Sequence, residues 1–315
     1  WQLGRHRVAC GDCRNADEVE RLLDGDQINV AITSPPYASQ RKYVEGSGFE
    51  PIHPDDFVEW FAPVQENVAQ NLAEDGSWFV NIKEHCHDGQ RVLYVKDLTL
   101  AHVRQWGWRF VDEFVWSHGG TPKAVKQRFK NGWEPVFQFA KGKHKFRPDA
   151  VMHKSDSLPD WQGDHPSIDS EEWHQRIKNY KPDPRPKKKQ VGSNAANQGK
   201  PQRGGALGPD GFDNVSALGL AYPSNHLALG KNREALGHGA PFPTSLPAFF
   251  IKAFSDPDDL VFDPFGGSGS TLIAAEEEER ACAIMDIAAE YVAVMLERWH
   301  KMTGDDPKLE EASDG

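Results

Sequence analysis

The stretch Thr33-Ser34-Pro35-Pro36-Tyr37 sets a hydroxyl, two adjacent prolines and a phenol directly after an apolar run. The prolines fix φ and hold a backbone carbonyl rigidly. Ser34 Oγ and the Pro35 carbonyl are neighbouring acceptors able to take both hydrogens of an NH2 group, and the Tyr37 ring can stack on a flat ligand. A ligand-free turn after a buried strand reads the same way locally. A second chemistry-bearing stretch runs from Val261 to Thr271, with an acid, Asp263, at a strand end, then Pro264-Phe265-Gly266-Gly267-Ser268-Gly269 and a helix start. Glycines let a backbone approach a ligand closely, and doubly wound sheets bind ligands at such strand ends. A nicotinamide turn, G-x-G-x-x-G, needs a third glycine where Leu272 stands, which argues against a dehydrogenase. Asp286 closes the next strand, about 20 residues on, where an acid either binds ribose hydroxyls or caps a helix.

These residues need a scaffold that brings separate strand ends together. The hydrophobic pattern predicts strands over 6–11, 28–33, 77–82, 110–116, 135–140, 260–263 and 281–286. Helices are predicted over 15–23, 55–72, 92–105, 245–254, 270–279 and 288–300, and Asp75-Gly76 reads as a turn before the central strand. Alternating strands and helices imply an α/β fold with a parallel-rich, doubly wound sheet. Between 147 and 239 the texture shifts to Pro, Gly, Asn and charge, the mark of an insertion, and 181–211 is polar enough to need a partner to order it. The expected organisation is 1–146, an insertion at 147–239, 240–302, and an acidic tail at 303–315.

The 315 residues suffice for a large core and hold four cysteines, too few for a disulfide framework. Cys10 and Cys13 have CxxC spacing and His85-Cys86-His87 adds ligand types, but no second CxxC completes a tetrahedral set, so no metal is expected. No apolar run reaches about 18 residues and no secretion signal opens the chain, which fits a soluble cytoplasmic protein, or a nuclear one in a eukaryote. Because the chain opens on Trp1 rather than Met, a preceding segment is expected. The net charge of −11 hides two basic stretches. One holds Lys126, Arg128 and Lys130, the other Arg185, Lys187, Lys188 and Lys189; with Arg41 and Lys42 these are the candidates for phosphate contact. Nothing in the sequence fixes the oligomeric state.

Taken together, the segments resemble the amino-methyltransferases of DNA, in the circularly permuted β group, where an S-P-P-Y segment precedes the cofactor segment as Ser34 precedes Asp263. Residues 263–270 resemble D-P-F-x-G-S-G-T, with Ser270 in place of Thr. Ala240-Pro241-Phe242-Pro243 with Leu246 resembles the segment that cups the methionine end of the cofactor, Gly11-Asp12 the one that holds the adenine amine, and Asp286 with Glu290-Tyr291 the ribose segment. Glu74-Asp75-Gly76-Ser77 and the strand after it resemble the family's central strand, and Gly132-Trp133-Glu134-Pro135 resembles a later one. The likeness spans 3–147 and 238–300.

The resemblance implies a Rossmann-like sheet with an inserted target-recognition region, S-adenosyl-L-methionine as cofactor and double-stranded DNA as partner. It assigns Asp12, Thr33, Pro243, Asp263, Pro264, Phe265, Gly266, Gly267, Ser268, Gly269 and Asp286 to the cofactor. Ser34, Pro35, Pro36 and Tyr37 would act on an exocyclic amine of a flipped base, with Tyr37 stacking on it. Ser at the head of the tetrapeptide is associated with N4 of cytosine, Asp or Asn with N6 of adenine. No Pro-Cys dipeptide occurs, so attack on ring carbon by cysteine lacks its nucleophile. An N6-adenine enzyme, an RNA or protein methyltransferase, and a nucleic-acid-binding module without catalysis are the competing readings.

Overall fold

The computed structural model describes residues 1–38, 50–117, 129, 131–154, 220–229 and 242–309. In chain order the elements are β1 (Gln2–Leu3), β2 (His6–Cys10), α1 (Ala16–Leu23), β3 (Ile28–Thr33), α2 (Phe57–Asn71), β4 (Leu72–Asn81), β5 (Cys86–His87), β6 (Gln90–Arg91), α3 (Tyr94–Arg104), β7 (Arg109–Ser117) and β8 (Trp133–Ala140). After them come β9 (His153–Lys154), β10 (Leu220–Ala221), β11 (His226–Leu227), α4 (Ser245–Phe254), β12 (Leu260–Asp263), α5 (Ser270–Glu277), β13 (Ala281–Asp286) and α6 (Ala289–Thr303).

Nine strands form one sheet in the order β1-β2-β13-β12-β3-β4-β8-β7-β11. The run from β2 to β4 is parallel, β8 is antiparallel to both neighbours, and β11 lies parallel to β7. The two faces of the sheet are visible at successive residues of β4, as strand alternation requires. Trp78 stacks on Phe61 of α2 at 5.8 Å, whereas Phe79 stacks on Phe250 of α4 at 4.2 Å. Helix α3 joins the α2 layer through Tyr94 against Phe57 at 4.9 Å. In the α4 layer, Glu276 of α5 accepts from Trp299 Nε1 of α6 at 2.9 Å and meets His6 Nε2 of β2 at 2.7 Å.

Local chemistry sets the element ends. Asn15 caps α1 by accepting from the Asp17 amide, Val19, Leu22 and Leu23 bury one stripe, and Asp24 stops the helix with φ 50°. Helix α6 buries Val292, Met295 and Trp299 and ends at Gly304 with φ 80°. Where the sequence suggested a turn at Asp75-Gly76, the strand continues: Ile28 pairs with Leu72 and Val30 with Ser77, so β4 carries three extra residues as a bulge. A Cβ on Gly76 would lie 2.8 Å from Leu72 Cγ and 3.0 Å from the Asn29 carbonyl, which is why glycine stands there.

The described residues divide into two compact units, Trp1–Ala150 with Ser224–Gly315, and Val151–Pro223. The smaller unit lies within the stretch 147–239 where an insertion was expected. Arg147 belongs to the larger unit, donating its amide to the Ala253 carbonyl at 2.7 Å and its guanidinium to Asp256 at 3.1 Å, and β11 extends the large sheet. Within the smaller unit, β9 and β10 pair antiparallel. Lys308, in the expected acidic tail, bridges Gln2 through bonds of 2.8 and 2.9 Å. No helix among the described residues is long and apolar enough to cross a membrane.

Candidate active site

Four adjacent parallel strands, β2, β13, β12 and β3, point their C-terminal ends to one rim. Each end delivers a candidate: Gly11-Asp12 after β2, Asp286 on β13, Asp263 on β12 and Ser34 after β3. A cavity of about 500 Å³ opens there. Asp12, Ser34, Pro35, Pro36, Tyr37, Pro264, Phe265, Gly266, Gly267, Ser268 and Asp286 all line it. Residues far apart in sequence thus share one wall, because neighbouring strands of a parallel sheet end side by side.

The glycine turn is held from within. The Gly266 amide donates to the Met285 carbonyl at 2.8 Å and the Gly267 amide to Asp286 Oδ2 at 2.9 Å. Gly267 and Gly269 adopt φ of 51° and 79°, where a Cβ is strained. Asp286 Oδ1 accepts from the Ala288 amide at 2.9 Å. Burial raises the Asp286 pKa above the usual carboxylate range, against the pull of these two amides. Each of its oxygens keeps a lone pair that hydroxyl donors can use.

Four of the expected cofactor residues stand behind the wall instead of in it. Asp263, Thr33, Pro243 and Gly269 are absent from the lining, and Asp263 and Thr33 are fully buried. Asp263 is consumed by the turn itself: the Thr271 hydroxyl donates to it at 2.6 Å and the Phe265 amide at 3.0 Å. Thr33 lies near enough to favour the charged form without completing a proper hydrogen bond. Pro243 is buried, and Phe242 of the same expected segment lines the cavity in its stead while its carbonyl accepts from Ser270 Oγ at 2.8 Å.

Burial pushes the Asp263 pKa up to about 7 from 3.8, against the hydrogen bonds it accepts. A carboxyl whose folded pKa is raised stabilises fully below the unfolded value, and that stability is lost as pH climbs through the folded one. Asp263→Asn is therefore expected to gain stability relative to wild type as pH rises from 3.8 to about 7 and to keep the gain above it. Thermal denaturation across that range checks this; parallel pH profiles for the two proteins would contradict it.

Asp12 lines the cavity but is engaged. Arg14 grips it through the backbone amide at 2.9 Å and a guanidinium fork with bonds of 2.7 and 3.0 Å. Burial works to raise its pKa, but the Arg14 bonds outweigh that and hold it below the usual range. A ligand amine reaching Asp12 shares it with Arg14. The Asp12 amide donates to Glu18 Oε2 at 2.8 Å, which ties the loop to the first turn of α1.

Tyr37 is only 4% exposed, so it presents little ring to a stacking base. Its hydroxyl accepts from Ser34 Oγ at 3.4 Å and donates to Glu134 Oε2 at 3.0 Å. Glu134, itself buried, forms a short ion pair with Lys83. No residue pattern signals this pairing, which depends on β4 lying beside β8.

Trp60 was missed as well. It sits on α2 with its ring 5.9 Å from Phe265 and 5.7 Å below the Arg14 guanidinium, and it closes the apolar side of the cavity. Glu50, Pro51, Ile52, His53 and Asp56 add a further wall. Their segment carries no motif that could have marked it. The phosphate-contact candidates Arg41, Lys42, Lys126, Arg128, Lys130, Arg185, Lys187, Lys188 and Lys189 lie outside the described residues, as do Ala240 and Pro241.

A family model described as DNA methylase, of the N6/N4 type, matches residues 28–297. The Type II methyltransferase M.PvuII of Proteus hauseri is 27% identical over 300 residues, covering 90% of this chain and 82% of that protein. M.SmaI of Serratia marcescens is 24% identical over 309 residues, covering 93% and 90%. Among solved structures, the PvuII DNA methyltransferase (cytosine-N4-specific) superposes with a TM-score of 0.60 at 21% identity, over 96% of this chain and 94% of that one. TTHA0409 of Thermus thermophilus, complexed with S-adenosyl-L-methionine, gives a TM-score of 0.55 at 19% identity over 97% and 100%. With its sheet, its rim of strand ends and the family match over 28–297 in agreement, the chain belongs to the N6/N4 DNA methylase family.

Proposed function

We propose that this protein transfers a methyl group from S-adenosyl-L-methionine to the N4 amine of cytosine in duplex DNA, with Ser34-Pro35-Pro36-Tyr37 as its catalytic segment and the chain order of the circularly permuted β group. The observation that carries the reading is the single cavity in which Ser34 and Pro35 face the glycine turn and Asp286.

The residues present fit the cofactor. The cavity of about 500 Å³ is within the range of small-molecule sites. Gly266 and Gly267 bring bare backbone to its floor, Asp286 offers carboxylate oxygens suited to ribose hydroxyls, and Trp60 and Phe265 form an apolar wall for a flat base. When bound, S-adenosyl-L-methionine supplies an electrophilic methyl on a sulfonium. The protein's work is to prepare the nucleophile. An exocyclic amine has its lone pair delocalised into the ring; acceptance of its two hydrogens by Ser34 Oγ and the Pro35 carbonyl orients that lone pair for in-line attack at about 3 to 3.5 Å.

Ser34 heading the tetrapeptide supports cytosine over adenine, in line with the cytosine-N4-specific name of the PvuII enzyme. Strand β3, which leads into Ser34, precedes β12 in the chain yet lies beside it in the sheet, which supports the permuted order. To test the reading, the protein is incubated with S-adenosyl-L-methionine and mixed-sequence duplex DNA, the DNA is digested, and the nucleosides are identified by mass spectrometry. N4-methylcytosine is expected; N6-methyladenine alone would overturn the assignment.

A further inference from the structure

Methyl transfer to an amine leaves one hydrogen too many on nitrogen, and the structure contains a directed path for it. Ser34 Oγ donates to Tyr37 Oη at 3.4 Å, and Tyr37 Oη donates to Glu134 Oε2 at 3.0 Å. Asn81 Oδ1 also faces the Tyr37 hydroxyl, at 3.4 Å, while its amide nitrogen is committed to the Pro135 carbonyl at 2.9 Å. A charged carboxylate at the shorter distance is the stronger acceptor, so the phenolic proton points to Glu134. With the Ser34 proton directed inward, the oxygen presents lone pairs to the cavity. That polarity is what an acceptor of an amine hydrogen needs.

Glu134 is 5% exposed, sits on β8, and is held by Lys83 from just beyond β4. The Lys83 ammonium lies 5.9 Å from the Tyr37 ring centroid, and the Tyr94 hydroxyl fixes the Lys83 carbonyl at 2.8 Å. A buried carboxylate is costly to keep charged, so one that is paired and aimed at the phenol behind Ser34 calls for a use beyond packing.

Resting on the amine-methylation reading above, we propose that Ser34, Tyr37 and Glu134 form a proton relay that removes the surplus amine hydrogen during methyl transfer, with Glu134 as terminal acceptor and Lys83 as its counter-ion. As the nitrogen–carbon bond forms, the carbon–sulfur bond breaks and its electron pair stays on sulfur. One N–H bond breaks and its proton goes to Ser34 Oγ, the Ser34 proton passes to Tyr37 Oη, and the Tyr37 proton passes to Glu134 Oε2. The positive charge that left sulfur thus ends as a neutral carboxylic acid beside Lys83. Release of that proton to solvent resets the site.

Glu134→Gln tests this, because the amide oxygen still accepts from Tyr37 but no longer takes a proton. Under single-turnover conditions with saturating cofactor and DNA, the methyl-transfer rate is expected to fall about 10²-fold, the scale of general-base catalysis, with both dissociation constants unchanged. Because that variant strands the Lys83 charge, Lys83→Met combined with Glu134→Gln serves as its partner and is expected to be equally slow. A Glu134→Gln rate near wild type, or a rate restored in the double variant, would mean that Glu134 only positions Tyr37 and would overturn the relay. Should Glu134→Gln fail to fold, the double variant alone decides: slow supports the relay, near wild type overturns it. Wild-type protein that methylates no base amine would instead sink the reading beneath it.

Discussion

Ser34→Ala is expected to reduce single-turnover methyl transfer by about 10²- to 10³-fold, the size found when one preorganised polar group is removed from a reacting centre. Cofactor affinity should stay within about twofold of wild type. The asymmetry follows from where the groups sit. Ser34 follows β3, whereas the glycine turn and Asp286 belong to β12 and β13 and are held by their own bonds, Gly266 to Met285 and Gly267 to Asp286. Deleting Oγ leaves those contacts alone. Tyr37 keeps its bond to Glu134 at 3.0 Å, so the proposed catalytic segment stays in place and the loss reports on chemistry. Labelled methyl incorporation together with calorimetric titration of the cofactor measures both halves. A variant that methylates at the wild-type rate would remove Ser34 from the reaction and move the amine's acceptor elsewhere; one that neither binds cofactor nor methylates would show that β3 and β12 are not independent.

The strand ends were legible because each combines a short apolar run with a residue that breaks it. Leu260–Asp263 and Ala281–Asp286 are read from the sequence to the residue, since acid or glycine follows a buried strand. What was not legible is direction. Asp263 is recognisable as an acid at a strand end, but whether its carboxylate faces a ligand or the turn depends on Thr271 and the Phe265 amide, a local geometry that residue type does not encode. Pairings across the sheet were out of reach for another reason. Glu134 meets Lys83 and Tyr37 only because β8 runs back antiparallel beside β4, and the separations of 51 and 97 residues carry no periodic signal. Trp60 fills an ordinary position of an amphipathic helix pattern, and only the closure of α2 over Phe265 turns it into cavity wall. The two-residue strand at His226–Leu227 is too short to register within a Pro- and Gly-rich stretch.

Gly266→Ala should damage both stability and cofactor binding, by a mechanism unlike that of Ser34→Ala. A Cβ built at Gly266 lies 2.5 Å from Ile284 Cγ1 and 2.5 Å from Met295 Cε, in a part of the core where both side chains are fully buried. Neither has open space to retreat into, since Ile284 sits within β13 and Met295 is on the buried stripe of α6. Overpacking of this kind costs about 1–3 kcal/mol, which corresponds to a fall in Tm of roughly 2–10 °C. The turn yields in the one open direction, towards the cavity. That movement strains the Gly266 amide bond to Met285 at 2.8 Å and the Gly267 amide bond to Asp286 at 2.9 Å, so the Asp286 carboxylate, proposed above for ribose, shifts with it. An affinity loss of about tenfold for S-adenosyl-L-methionine is expected, equivalent to about 1.4 kcal/mol. The mechanism has a distinguishing mark: the clash disappears in part when Met295 is shortened. Gly266→Ala combined with Met295→Ala should therefore destabilise by less than the two single variants added together, because each relieves a cost created by the other. Denaturant titration of the four proteins gives the coupling energy directly. Strict additivity would mean that the new methyl group does not meet Met295.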